Sequence, residues 1–251
     1  MASHAKSRGI IIRTIDYSNT SVIVHLLTPE ETIVHAIARG AKKSKSIFSG
    51  KLELFSCVEC NYIVSTRSNM HVLVDCSVIR RFHGLCADID LLYLASFMSE
   101  IVSAISWDIK SGAKVYVLFE SVMDCFDCTV PFISISLLTL FLLHILEIQG
   151  ILPNEEQCVG TGKIVDGIAQ FEFSPSVSPV EQRKNVISRE CIRQVYSALS
   201  MAWKDAVDCM VKMPQKELIR LNAVLLCFLR EEIGKQIRTE KFLKSAGLIE
   251  S

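Results

Sequence analysis

The sequence has no net charge: 27 Lys and Arg residues balance 27 Asp and Glu residues in a chain of 251. This excludes a histone-like protein that coats nucleic acid everywhere, so any polyanion must meet a local patch. There is also no internal repeat of useful length and no low-complexity tract. With 50% hydrophobic and 22% charged residues the chain is globular, not disordered, and is long enough for one large domain or two small ones. The opening "MASHAKSRGIIIR" has only a brief apolar run before Arg13 and Asp16, which predicts no secretory leader. Ten cysteines in such a chain point to a reducing compartment and to thiols used mostly as small buried hydrophobes.

Catalytic signatures are missing as well. No G-x-S-x-G elbow occurs, and His4, His25, His35, His71, His83 and His144 show no H-E-x-x-H spacing. "GTGK" lacks a P-loop's first glycine, because Gln157 stands there, and Ile164 replaces the metal-binding Ser/Thr. Two C-x-x-C pairs, Cys57/Cys60 and Cys125/Cys128, suggest zinc at first sight. Residues three apart on a strand face opposite sides, however, so Cys57 and Cys60 cannot converge on one ion, and Cys125/Cys128 have no evident partners. Residues Cys128 to Leu146 carry no formal charge and approach the roughly 18 residues of a membrane span. Pro131, Ser134, Ser136, Thr139 and His144 within them, and the lack of flanking Lys/Arg clusters, predict a buried helix instead.

What is present begins with a local excess of one charge. Between Thr32 and Leu52 the chain carries Arg39, Lys42, Lys43, Lys45 and Lys51 and no acidic residue. That stretch is either a binding loop or a lysine-rich solvated hairpin tip. It interrupts a β-rich region with the runs "GIIIRTI", "SVIVHLL", "ETIVHAIA", "LELFSCVECNYIV" and "MHVLVDCSVI", which predict five strands and a small Greek-key barrel with the OB-fold as leading candidate. Near residue 82 the pattern becomes helical. Helices are predicted at Ile89–Ser106 with Asp88 or Asp90 as N-cap, Val115–Cys128, Ser136–Gln149, Ser188 to Val211, and Gln215–Ile233 after Pro214. The fold class is therefore α+β: an N-terminal barrel over 1–82 and a helical bundle domain over 83–251, with an irregular insertion at about 153–187 that includes the strand-like "IAQFEF".

The run "IIIRTIDYSNTSVIVHLLTPEETIVHAIARGAKKSKS" resembles the opening of the bacterial RecO family of recombination mediators, in which an "R..DY.E.S.I...T...G......GA+..KS" pattern begins an OB-fold. The resemblance continues through "GKLELFSCVEC", "DIDLLYLASFMSEIVSAI", "LTLFLLHILEIQGILPNEEQC" and "LREEIGKQIRTEKFL", in the same order over most of the chain. It implies a non-enzymatic, cytoplasmic bacterial protein, nucleoid-associated during repair, that needs no cofactor. It further implies binding of single- and double-stranded DNA, annealing of complementary strands, and work with RecR to replace single-strand-binding protein (SSB) by RecA. On this resemblance Arg39, Lys42, Lys43 and Lys45 align with the family's basic loop, and Arg13, Lys51 and Arg67 extend the patch. Tyr17, Phe48, Phe55 and Tyr62 are candidates for stacking on bases.

The resemblance also implies that the helical domain receives the acidic, apolar-ended C-terminal tail of SSB. Lys235, Arg238, Lys241 and Lys244 could rim its groove, or could lie on a solvated terminal helix. One departure concerns metal. Many RecO proteins hold zinc with two C-x-x-C pairs in the insertion, whereas here Cys158 takes the first place, Thr161 the second, and the downstream pair is absent. A four-ligand site cannot be built from one thiolate, so no metal is expected, and the segment is either held by packing, with Phe171 and Phe173 as candidates, or mobile. Two alternatives remain open on the residues alone: an OB-fold adaptor with weak or RNA-directed binding, and an enzyme using cysteine chemistry at Cys125/Cys128.

Overall fold

The apolar runs of the N-terminal third resolve into five strands in a computed structural model that describes residues 3–127, 133–152, 164–165, 168–170 and 186–249. These are β1 (Ser3–Asp16), β2 (Val22–Thr28), β3 (Thr32–Ala38), β4 (Cys57–Val64) and β5 (Met70–Arg80). A register shift between Ile11 and Arg13 lets the long β1 turn a corner. Its first half pairs with β4 and its second half with β2. The sheet closes in the order β1-β2-β3-β5-β4, with β3 and β5 parallel and every other pair antiparallel. That order is the five-stranded barrel expected of an OB-fold, and closure leaves no free edge to aggregate.

Inward positions such as Ile11, Val24, Leu26, Val34, Val58 and Leu73 fill the barrel, and Phe48 reaches in from the basic loop to join them. Cys60 belongs to this interior, while Cys57, also buried, is not part of that cluster. The two side chains of this C-x-x-C pair thus diverge, as strand geometry requires.

Three helices follow: α1 (Gly84–Ala87), α2 (Ile89–Ala104) and α3 (Ile109–Asp124), the last ending in a 3-10 turn at Cys125–Asp127. Asp88 caps α2, its carboxylate accepting from the Asp90 N–H at 2.8 Å, and Asp108 caps α3 through the N–H groups of Lys110 and Ser111. Helix α3 starts at the Asp108 cap, before the expected Val115; its first residue, Ile109, is 74% exposed and adds nothing to the apolar stripe that marks the helix in the sequence. It docks on the β2–β3 hairpin, and ion pairs from Arg8 to Glu120 and from Arg80 to Asp124 tie it to β1 and β5.

The chain divides into two compact units, Met1–Cys128 and Thr129–Ser251. The change from strands to helices near residue 82 therefore falls inside the first unit, since α1 to α3 belong with the barrel.

The second unit is built on α4 (Ile133–Gln149), in which every residue from Ile133 to Leu143 is buried. Its polar groups are satisfied locally, for example Thr139 Oγ1 donating to the Ile135 carbonyl at 2.9 Å. Around it pack α5 (Arg189–Leu199), α6 (Trp203–Val211) and α7 (Gln215–Ile233), followed by α8 (Glu240–Ser245). Among the described residues no helix is long and apolar enough to cross a membrane. The single helix expected from Ser188 to Val211 is two: Ala202 is extended with ψ 144°, a break that no Gly or Pro announces. Glycines at positive φ end α4 (Gly150, 72°) and α7 (Gly234, 61°).

Within the expected insertion, β6 (Ile164–Val165), β7 (Ile168–Gln170) and β8 (Val186–Ser188) form an antiparallel sheet. Part of "IAQFEF" is thus a strand. Cys158, Thr161, "GTGK", Phe171, Phe173 and Cys128 lie outside the described residues.

Candidate nucleic-acid interface

The register of the barrel places Ile23 beside Ile37, Ile37 beside Val72, and Val72 beside Ile63, a row of half-buried aliphatic side chains across β2, β3, β5 and β4. Their neighbours along each strand, such as Val24, Ala36 and Leu73, point into the core, so this row is the outer face of the sheet. It floors a cleft of about 780 Å³ whose walls include Tyr17 after β1, Arg39 after β3, and Ser65 to Ser68 with Arg67 between β4 and β5. In OB-folds this face and these loops bind oligonucleotides.

Local hydrogen bonds hold the walls in place. Ser18 Oγ accepts from the Ser21 N–H at 3.2 Å and fixes the turn after Tyr17. Ser65 Oγ accepts from the N–H groups of Arg67 and Ser68, and the Ser65 N–H donates to His71 Nδ1 at 3.2 Å. Arg67 is therefore carried on a loop shaped by its own serines. The basic segment is a chain of tight turns starting at Gly40, whose φ is 73°. Lys43 N–H donates to the Gly40 carbonyl, Ser46 N–H to that of Lys43, and Ser49 N–H to that of Ser46, with Phe48 anchoring the run in the barrel.

These turns divide the cations into two sets. Lys42 is committed inward: its ammonium lies 2.8 Å from Asp16 and donates to the Ser18 carbonyl, while its N–H donates to the Thr20 carbonyl. Lys51 lies 3.5 Å from Asp75. Arg39, Lys43, Lys45 and Arg67 are exposed and have no ion-pair partner among the described residues. Arg13 lies opposite His25 on the sheet, next to the edge-on pair of His25 and His35, whose ring centroids are 4.2 Å apart. Burial, then the neighbouring His35 and Arg13, pushes the His25 imidazole down to about 4, and burial likewise lowers His35, so both imidazoles are neutral at neutral pH and Arg13 carries the charge there.

Of the aromatic candidates, Tyr17 is 63% exposed at the cleft, whereas Phe48, Phe55 and Tyr62 are buried. Phe55 adopts a φ of 63° in a turn before β4, and Tyr62 faces the barrel interior with its hydroxyl donating to Glu31 at 3.2 Å. The aliphatic floor and Met70 escaped the sequence argument. For Ile23 and Ile37 the signal was the imperfect alternation of "SVIVHLL" and "ETIVHAIA", which carry apolar residues on both faces.

In the second unit, Arg238, Lys241 and Lys244 line a separate hollow of about 410 Å³ with Gln236, Ile237 and Glu240, and Lys235 is not among its walls. Glu240 is neutralised there by Arg230, whose Nε donates at 3.0 Å, and by Lys244 at 3.8 Å. The hollow therefore keeps a cationic rim around the buried Ile237.

Residues 1–82 match the family Recombination protein O N terminal, and residues 86–241 match Recombination protein O C terminal. The chain is 24% identical to DNA repair protein RecO of Myxococcus xanthus over 96% of its own length and 97% of that protein's. It is 27% identical to DNA repair protein RecO of Symbiobacterium thermophilum, covering 97% of this chain and 95% of the relative. With DNA repair protein RecO of Anaeromyxobacter dehalogenans the identity is 29%, over 67% of this chain and 66% of that protein, slightly under two thirds of its length. A closed five-stranded barrel followed by a helical unit, matched in that order by both halves of the family, establishes that this chain belongs to the RecO family of DNA repair proteins.

Proposed function

We propose that the outer cleft of the barrel binds single-stranded DNA and presents it for annealing to a complementary strand. The observation that carries this reading is the continuous aliphatic row Ile23–Ile37–Val72–Ile63 walled by Tyr17, Arg39 and Arg67. Bases unstacked from a duplex need an apolar surface, and phosphates need cations at its rim. Arg39 and Arg67 supply those cations at the walls without first breaking an ion pair, and Lys43 and Lys45, outside the lining on the basic segment that follows Arg39, add unpaired charge, with Arg13, Lys42 and Lys51 as further basic residues. Annealing requires two strands held with their charge screened and their bases accessible, and an open basic cleft meets both needs without bond-breaking chemistry. Double-stranded DNA meets the same cations through its backbone alone.

Family membership supports the wider role: work with RecR, displacement of SSB, and indirect delivery of RecA in recombinational repair. The cationic hollow at Ile237 is the surface we assign to the acidic SSB tail, with Arg238, Lys241 and Lys244 meeting its carboxylates.

The direct test of the cleft is Ile37→Glu. Ile37 is half-buried on the outer face, so a carboxylate there leaves the barrel interior intact while repelling phosphates and wetting the floor. Anisotropy titration with labelled single-stranded DNA and with RNA of the same sequence is expected to show at least a tenfold loss of DNA affinity at unchanged circular dichroism. A folded variant with unaltered DNA affinity contradicts the assignment, and wild-type preference for RNA redirects it to an RNA-binding adaptor.

A further inference from the structure

Cys60 and Cys76 are directly opposed in the antiparallel pairing of β4 and β5, and both are buried inside the barrel. Their sulfurs lie 3.4 Å apart. Directly opposed residues of an antiparallel pair have Cα atoms about 4.5–5.5 Å apart, inside the range that disulfides span. From this juxtaposition we infer that Cys60 and Cys76 are a reversible thiol–disulfide pair that closes across β4 and β5 under oxidising conditions.

The two thiols are not equivalent. Cys76 is the more acidic: the Cys60 thiol donates a hydrogen bond to its sulfur, and the Lys51 ammonium adds positive charge nearby, whereas the Cys60 thiol is pushed up by that same hydrogen bond and by burial. The Cys76 sulfur also lies 4.0 Å from the carbonyl of Lys51, and both cysteines are buried, so a peroxide reaches the pair through local opening of the barrel. With a peroxide as oxidant, the Cys76 thiolate attacks one peroxide oxygen and the O–O bond breaks. The products are a sulfenic acid and a hydroxide that takes up a proton as water. Cys60 sulfur then attacks Cys76 sulfur, the S–O bond breaks, and the departing hydroxide takes the Cys60 proton as a second water. Two thiols and one peroxide thus become one disulfide and two waters.

Closure would form a ring from residue 60 to residue 76 that contains the whole loop bearing Arg67, so the loop and the two strands become one covalent unit. Cross-linking such a ring restricts the unfolded chain, and dithiothreitol should reverse the effect.

The test is a non-reducing peptide map of full-length protein treated with hydrogen peroxide, and separately of protein refolded with oxidised glutathione. The expected result is a peptide pair joining β4 to β5, lighter by two hydrogens. A melting temperature several degrees higher should accompany it, returning to the untreated value with dithiothreitol and showing no rise in Cys76→Ala. If Cys60 and Cys76 remain alkylatable after both treatments, or are recovered linked to other cysteines, the inference is overturned.

Discussion

At residue resolution, the glycine with the least room for a side chain among those described is Gly112 of α3, packed on Thr32 at the start of β3. A Cβ on Gly112 would stand 1.8 Å from Thr32 Oγ1 and 2.9 Å from Thr32 Cβ, and Thr32 itself holds a φ of 59° that a β-branched residue rarely adopts. Gly112→Ala is expected to push α3 off the hairpin and cost about 1–3 kcal/mol of stability. Thr32→Gly in the same chain removes both the obstructing side chain and the strained torsion, so the double variant should melt above Gly112→Ala alone. Equal melting temperatures would mean that this contact does not set the docking. None of this was legible in the sequence, because Gly112 and Thr32 are far apart in the chain and nothing local marks either. Aromatic roles were equally hidden: whether Tyr17, Phe48, Phe55 or Tyr62 reaches solvent depends on strand register and on a turn at positive φ, and only Tyr17 does.

At the level of elements, periodicity and punctuation carried most of the information. Five strands were visible because each apolar run is bounded by turn residues. Helix α7 was visible from end to end because Pro214 precedes it and Gly234 closes it. The break between α5 and α6 was not visible, since Ser200, Met201 and Ala202 carry no breaker and only packing decides it. The β2–β3 ladder makes a prediction of its own through His25. Burial holds its folded pKa at about 4, below the 6.5 of the unfolded chain. Stability from the neutral imidazole is therefore complete above pH 6.5 and is lost as pH falls towards 4, because the unfolded chain takes up the proton first. Melting temperature should decline across that window, and His25→Leu should make the decline shallower. An identical pH profile in the variant would show that His25 is not the group responsible.

For the molecule as a whole, the order of a barrel and then helices could be read from the sequence, and the resemblance carried the family. The division of charge could not. The acidic partners of Lys42 and Lys51, Asp16 and Asp75, lie in separate runs, and only the closed barrel brings them together. In the second unit, Arg238→Glu with Lys241→Glu should weaken binding of an SSB tail peptide at least tenfold while leaving single-stranded DNA affinity within about twofold, if the two surfaces act separately as proposed. Unchanged peptide affinity would remove the tail from this hollow.

The central claim, that phosphates meet the unpaired cations of the outer cleft and of the basic segment after β3, is tested most directly by the salt dependence of single-stranded DNA binding. Each phosphate contact adds roughly 0.7 to the slope of log affinity against log salt. Replacing Arg39, Lys43, Lys45 and Arg67 together by Ala, with Lys42 left in its ion pair to Asp16, keeps the barrel's own contacts. The expected result is a folded protein whose slope is flatter by about 2 to 3 and whose affinity falls alike for all sequences. A folded quadruple variant with the wild-type slope and affinity would contradict the claim and place the DNA elsewhere.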